Sequence, residues 1–367
     1  MDAVVWTGTS LEHAQDVRVR SPDAGEVTVR IDAAGLCHSD VKALDGHIDQ
    51  PVPVVLGHEA CGVVVDRGPG VTVPVGQKVV LSTLRSCGTC RACLAGAPTC
   101  CRDGQPASRP AFVRHGQPVE QFARVGAFAR HTVVHERQVV PVPDTLPDII
   151  CALLGCAVLT GFGAVWKRAG LREGESALVV GAGGIGLNAV HAASLAGASR
   201  VLVVDRNPRK EALARRLGAT DFQQVDTAAD VVRAAQDLQP RGFDAVLECV
   251  GRPELLTAAV EVLAWGGRAV IVGLPPARTP LTFGMRELFQ DKSLLGCRMG
   301  SVDPHRFIPD LAQRYLAGEL LLDPLVSAVA PLHQVGDLIG ELRSGRLDRG
   351  VLDLTGGTTT LHRRDAA

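Results

Sequence analysis

The chain has 367 residues, 46% of them hydrophobic, with 38 basic and 39 acidic side chains and a formal net charge of -1. At that length one hydrophobic core gives way to two, so two domains are expected, each able to bury a sizeable interior. The basic residues are scattered rather than gathered into runs, which argues against nucleic acid and against an anionic membrane surface as partners.

The sequence begins MDAVVW, without the basic and apolar stretches of a signal peptide. Apolar runs such as AVIVGL break off before the roughly 18 residues of a spanning helix, so a soluble, cytoplasmic protein is expected. From Val27 to about Val140 short β-branched runs (VTVRI, GVVVD, KVVLS, HTVVH) alternate with Gly and Pro, the pattern of an irregular β-rich region. Within it lie Cys37 in GLCHSD and His58-Glu59 in LGHEACG, each of which alone reads as a core thiol or a polar loop.

The segment CGTCRACLAGAPTCC follows, with Cys87, Cys90, Cys93 and the adjacent pair Cys100 and Cys101. Three of these thiolates and one of the pair can converge on a tetrahedral zinc. A disulfide framework would need an oxidising compartment, and metal accounts better for several of the eleven cysteines in a reducing one. Cys156, in LLGCAVLTG, stands where the β-rich region ends, and two thiols with one imidazole would leave a fourth position on zinc open.

From about Ala177 the rhythm changes to ALVV, GAGGIGLNAVHAASLAGA, RVLVVD, FDAVLECVG and GRAVIVGL, apolar strands alternating with helices as in a doubly wound parallel sheet. A lone GxGxxG is weak, but Gly181, Gly183 and Gly186 follow a strand and open a helix through Gly184 and Ile185, so this loop is expected to cradle a pyrophosphate. Asp205 ends the next strand, 24 residues after Gly181, where a carboxylate accepts from ribose hydroxyls and repels a 2′-phosphate, favouring NAD over NADP. Arg206 beside it is expected either to lie against the adenine or to soften that repulsion in part, so the expectation is NAD preference rather than exclusive NAD use. After Leu295 the alternation stops; a helix is expected in HRFIPDLAQRYLAG, a strand in RGVLDL and a frayed polar tail in GGTTTLHRRDAA. The boundaries follow as 1–157 with a metal lobe at 85–103, 158–298 for the nucleotide domain, 299–355 returning to the first domain, and a tail at 356–367. No internal repeat is found.

GLCHSD, GHE, the cysteine lobe, GC…TG, GAGGIG and Asp205 resemble, in order and spacing, the zinc-dependent medium-chain alcohol dehydrogenase family, from Val27 to Leu354. The resemblance implies an α/β fold, a GroES-like β-rich catalytic domain joined to a Rossmann domain, two zinc ions per chain and NAD. It implies Cys37, His58 and Cys156 as catalytic zinc ligands, Glu59 as a transient ligand and Asp40 as the carboxylate behind His58. Ser39 would receive the alcohol proton, and His38 and Arg349 would lie near the cofactor pyrophosphate. In the lobe it selects Cys101 over Cys100. It departs at Lys42, where many relatives have a histidine ending the proton relay; His47 reads better as an exposed loop residue than as a substitute.

By the same comparison Ile48, Thr83 and Ala123 would line the substrate pocket, the last two smaller than in some relatives, which favours larger apolar alcohols. The long connector from Arg102 to Phe128 resembles a longer-loop branch that is typically dimeric, and implies a homodimer paired near GRAVIVGL. The leading expectation is interconversion of a medium or bulky alcohol with its aldehyde or ketone. The alternatives are a thiol-adduct formaldehyde dehydrogenase, a nicotinoprotein that recycles bound cofactor, a C=C reductase, and a catalytically silent scaffold.

Overall fold

The computed structural model describes residues 1–104, 109–276, 278–357 and 360–363. Two compact units emerge, Met1–Cys156 with Asp303–Ala367, and Ala157–Val302. The first unit is built on Glu26–Leu36, an 11-residue strand in which Val27, Val29 and Ile31 are buried. It pairs antiparallel with Glu59–Arg67, His131–His135 and Arg349–Asp353. This central position brings His58-Glu59 and Arg349 to its C-terminal end, because Gly35 faces Glu59 and Leu36 faces Gly350 in the register. A second sheet uses strands at Ala3–Trp6, Leu11–Ala14 and Arg18–Val19, a region that periodicity alone left unassigned.

The second unit carries a parallel sheet whose strands, numbered along the chain, lie in the order 3-2-1-4-5-6. The first strand, Ser176–Val180, is buried at every position, as expected where helices cover both faces. The order reverses between it and Phe243–Glu248, and crevices at such reversals are where dinucleotides bind. Leu263–Ile271, which contains most of GRAVIVGL, has parallel neighbours on both sides, Phe243–Glu248 and Ser293–Gly296. It is therefore not an edge, contrary to the expectation from sequence; Ser293–Gly296 adds beyond it and takes that role.

Two further expectations are corrected. Asp148–Ala169 is a helical run of 22 residues with the length and mean hydropathy of a membrane span, longer than any apolar stretch expected above. Within its most apolar window 83% of residues are buried, so this is a core helix, apolar round most of its surface because protein covers most of it. The polar tail is not wholly frayed either. His362 and Arg363 pair with Val329 and Ala328, and the Arg363 guanidinium binds the Glu341 carboxylate; backbone pairing needs no apolar side chain. Residues 358–359 and 364–367 lie outside the described part.

Candidate active site

Cys37 closes the central strand and precedes the helix His38–Leu44. His58 follows a turn at Gly57, φ 86°, and Glu59 begins the neighbouring strand. Cys156 lies in a π-helical turn, Leu154–Val158, of the long helical run, and single π-turns recur at functional sites. Gly155 lets that turn approach the sheet, since a Cβ there would meet the Leu81 carbonyl at 2.5 Å. The ligand atoms of Cys37, His58, Glu59 and Cys156 all fall within 4.8 Å of one another.

One carboxylate organises two of these segments. Asp40 Oδ2 accepts the Cys37 N–H at 3.0 Å, while Oδ1 accepts the Gly57 N–H at 3.0 Å and faces His58 Nδ1 at 3.3 Å. With Nδ1 serving Asp40, Nε2 is the nitrogen left for a metal. Arg349, 4% exposed, forms an ion pair with Glu59 Oε2. It thus sits buried beside the carboxylate and belongs to this cluster. Glu59 Oε1 and Arg349 Nε have no partner among the described residues. A buried carboxylate oxygen left orphaned beside two thiols and an imidazole is the arrangement a bound cation would satisfy.

The proton affinities follow the packing. Cys37 is held well below the ordinary thiol range because the Cys156 thiol donates to it, with His58 helping against burial. Cys156 is correspondingly raised, by that same bond and by burial. Burial would lower His58, but Asp40 and Cys37 outweigh it and raise it. Glu59 is pushed up to about 7 by burial, against the pull of Arg349. The packing thus favours one thiolate, at Cys37, and opposes further negative charge at Cys156 and Glu59, an opposition that a bound cation would relieve.

The second cluster joins Cys87, Cys90, Cys93 and Cys101 within the same 4.8 Å limit. Cys100 is exposed and outside it. Cys87 Sγ accepts N–H bonds from Thr89 and Cys90 at 3.4 and 3.2 Å, and Cys101 Sγ accepts from Cys87 and Gly104 at 3.2 and 3.3 Å. Those donors, the Thr89 N–H first, bring Cys87 down to about 6. Four clustered thiols, two of them with N–H donors aimed at them, fit a closed structural zinc.

In the second unit Gly181, φ 94°, makes the tight turn, and nothing lies within 4 Å of a Cβ at Gly183. That open space lets a phosphate reach the backbone at the start of the helix Gly184–Leu195. A Cβ at Gly186 would lie 1.8 Å from the Gly181 carbonyl oxygen, so only glycine allows helix and loop to close. Ile185 is half-buried in the first turn. Asp205 Oδ2 accepts the Ala182 N–H at 2.7 Å and Oδ1 accepts the Asn207 N–H at 2.8 Å, so the carboxylate is pinned beside the loop; Arg206 is exposed.

Ser39 Oγ lies 3.8 Å from Cys37 Sγ, beside the cluster, whereas His38 and His47 are exposed and Lys42 is half-buried. Ile48, Thr83 and Ala123 are half-buried. Sequence reasoning missed Phe122, whose ring stands edge-on to His58 with centroids 5.5 Å apart. Ala123 and Arg124 behind it are left-handed at φ 51° and 60°, which costs non-glycine residues about 1–3 kcal/mol each. No local pattern marks Phe122; its contact with His58, distant in the chain, decides it.

The family model for zinc-binding dehydrogenases matches residues 184–315, and that for the GroES-like alcohol dehydrogenase domain matches residues 23–144. The chain belongs to the zinc-dependent medium-chain alcohol dehydrogenase family. It is similar to the NDMA-dependent alcohol dehydrogenase of Amycolatopsis methanolica, 37% identical over 352 residues, 92% of this chain and 94% of the relative. Among solved structures, the alcohol dehydrogenase zinc-binding domain protein of Burkholderia ambifaria superposes with a TM-score of 0.88 at 34% identity, covering 96% of this chain and 98% of that one. Benzyl alcohol dehydrogenase of Acinetobacter calcoaceticus gives 0.88 at 31% identity, covering 96% and 99%. This medium-chain dehydrogenase is an oxidoreductase acting on alcohols, with a GroES-like and a Rossmann domain, and it uses zinc and a nicotinamide cofactor.

Proposed function

We propose that the enzyme is an NAD-dependent alcohol dehydrogenase that binds two zinc ions per chain and interconverts a medium or bulky alcohol with its aldehyde or ketone. The observation that carries this reading is the buried Cys37–His58–Glu59–Cys156 cluster with Asp40 behind the imidazole. When bound, zinc would supply Lewis acidity toward the substrate oxygen and NAD the hydride acceptor. Cys37, His58 and Cys156 would hold the metal, and Asp40 holds the His58 ring in the orientation that exposes Nε2. The Ser39 hydroxyl would take the alcohol proton, a role that its position 3.8 Å from Cys37 Sγ supports. Phe122 stands edge-on to His58 and would help to keep water from it.

The smaller Thr83 and Ala123 side chains, and the likeness to a benzyl alcohol dehydrogenase, support bulky or aromatic substrates. The pinned Asp205 carboxylate supports NAD over NADP. Eleven cysteines, all free of disulfides, support a reducing cytoplasm. Met285 and Phe289, 89% and 90% exposed, lie just before the edge strand Ser293–Gly296 and support a homodimer formed there.

The test is growth of the NADH absorbance band on mixing purified protein with NAD and linear, aromatic and terpenoid alcohols, with zinc measured on the same sample. Growth with about two zinc ions per chain supports the reading. A second reading, a nicotinoprotein that recycles bound cofactor, has the likeness to an NDMA-dependent enzyme in its favour. It predicts no growth, with cofactor released only on denaturation.

A further inference from the structure

The Gln138 side-chain amide reaches two loops at once. It is 2% exposed; Nε2 donates to the Ser82 and Arg124 carbonyls, both at 3.2 Å, and Oε1 accepts the His135 N–H at 3.4 Å. Both N–H donors and one acceptor site are used inside the protein, so an apolar replacement of the same size would take that donor from the buried Ser82 carbonyl and the part-buried Arg124 carbonyl.

Those carbonyls belong to loops that abut the metal cluster from different elements. Ser82 follows the strand Lys78–Leu81, in which Leu81 pairs with Ala60, the residue after Glu59. The Leu81 carbonyl also faces Gly155, the residue before Cys156. Arg124 ends the turn that presents Phe122 to His58. That turn contains the two left-handed non-glycine residues, and such backbone persists only where its surroundings hold it. Gln121 Nε2 and the Thr132 hydroxyl hold the Val125 carbonyl, at 3.1 and 2.5 Å; the Arg124 carbonyl is held by Gln138.

We infer that Gln138 is a positioning residue that sets the spacing of the 82–84 and 122–124 loops, and through them the size of alcohol the site accepts; this rests on the alcohol dehydrogenase reading above. Gln138 is not one of the clustered donors and acts through its neighbours. Thr83 follows one clamped carbonyl and Ala123 precedes the other residue clamped, so the amide ties together the segments that carry these two small half-buried side chains. Without it the left-handed turn relaxes, Phe122 loses its register on His58, and Thr83 and Ala123 lose their fixed separation.

The experiment compares Gln138→Leu with the unaltered enzyme on an alcohol series from ethanol through benzyl alcohol to larger aryl alcohols, at matched zinc content. The expected result is a change of about tenfold or more in the kcat/KM ratio of benzyl alcohol to ethanol, carried by KM, with zinc content unchanged. If the leucine variant does not yield folded protein, Gln138→Glu, which keeps the shape and loses both N–H donors when ionised, is read in the same way. An unaltered ratio in a folded variant overturns this inference alone, as does an equal fall in kcat for every alcohol. Failure of the unaltered enzyme to turn over any alcohol overturns the activity reading, and this inference with it.

Discussion

Asp40 and His58 are joined by a contact of 3.3 Å between Oδ1 and Nδ1, and the same carboxylate also accepts the N–H groups of Cys37 and Gly57. Asp40 is fully buried, so it both orients the imidazole and ties the two ligand-bearing segments together. Replacing Asp40 by Ala is expected to weaken zinc at this site by about 10–100-fold while leaving the cysteine lobe loaded. Competition with a chromophoric chelator measures it; unchanged affinity would show that Asp40 serves packing only.

The lobe offers a sharp pair of variants. Cys101→Ser removes a buried thiol that two N–H groups address, and should take zinc from about two per chain to about one, with a fall in melting temperature. Cys100→Ser, at an exposed thiol outside the cluster, should change neither. Metal analysis of the two proteins decides; equal losses would mean that either thiol can complete the site.

Asp205 is held by Ala182 and Asn207 against the nucleotide loop. Asp205→Ala removes the charge that would repel a 2′-phosphate and an acceptor for ribose hydroxyls. The preference for NAD over NADP in kcat/KM should fall about tenfold or more. Steady-state kinetics with both cofactors test this, and a preference that survives intact places discrimination elsewhere.

Acid sensitivity has a local source at Glu26. Burial would raise its pKa, but Arg20, at 2.5 and 2.9 Å, and the Asp23 N–H, at 2.9 Å, outweigh burial and hold it below its ordinary 4.5. A carboxylate whose folded value is depressed contributes stability above its unfolded value and loses it as pH falls through the folded one. Glu26→Gln should therefore be less stable than the parent near neutrality, with the gap closing below about pH 4. Urea midpoints across pH read the gap; one that stays constant into acid would show that charge at Glu26 is irrelevant.

Legibility in the sequence tracks chain separation. The cysteine lobe spans 15 residues, Cys87 to Cys101, and the nucleotide loop is a strand, three glycines and a helix start in succession. Local geometry dictates both, so spacing alone points to them. The catalytic cluster draws on Cys37, His58, Glu59 and Cys156, with Arg349 behind Glu59; these were assembled from sequence only through likeness to a family, since no spacing rule spans such separations.

What the sequence by itself determined is therefore the chemistry: zinc-binding thiols, a phosphate-cradling loop, and a parallel sheet announced by apolar strands alternating with helices. Only the tertiary structure decided that Arg349 pairs with Glu59, that Phe122 stands on His58, that Gln138 clamps two loops, and that Ser293–Gly296 rather than Leu263–Ile271 forms the sheet edge. The physical reason is common to all four. Each depends on which strands pair and in what register, and that is fixed by burial and backbone hydrogen bonding across the whole unit, not by the residues on either side.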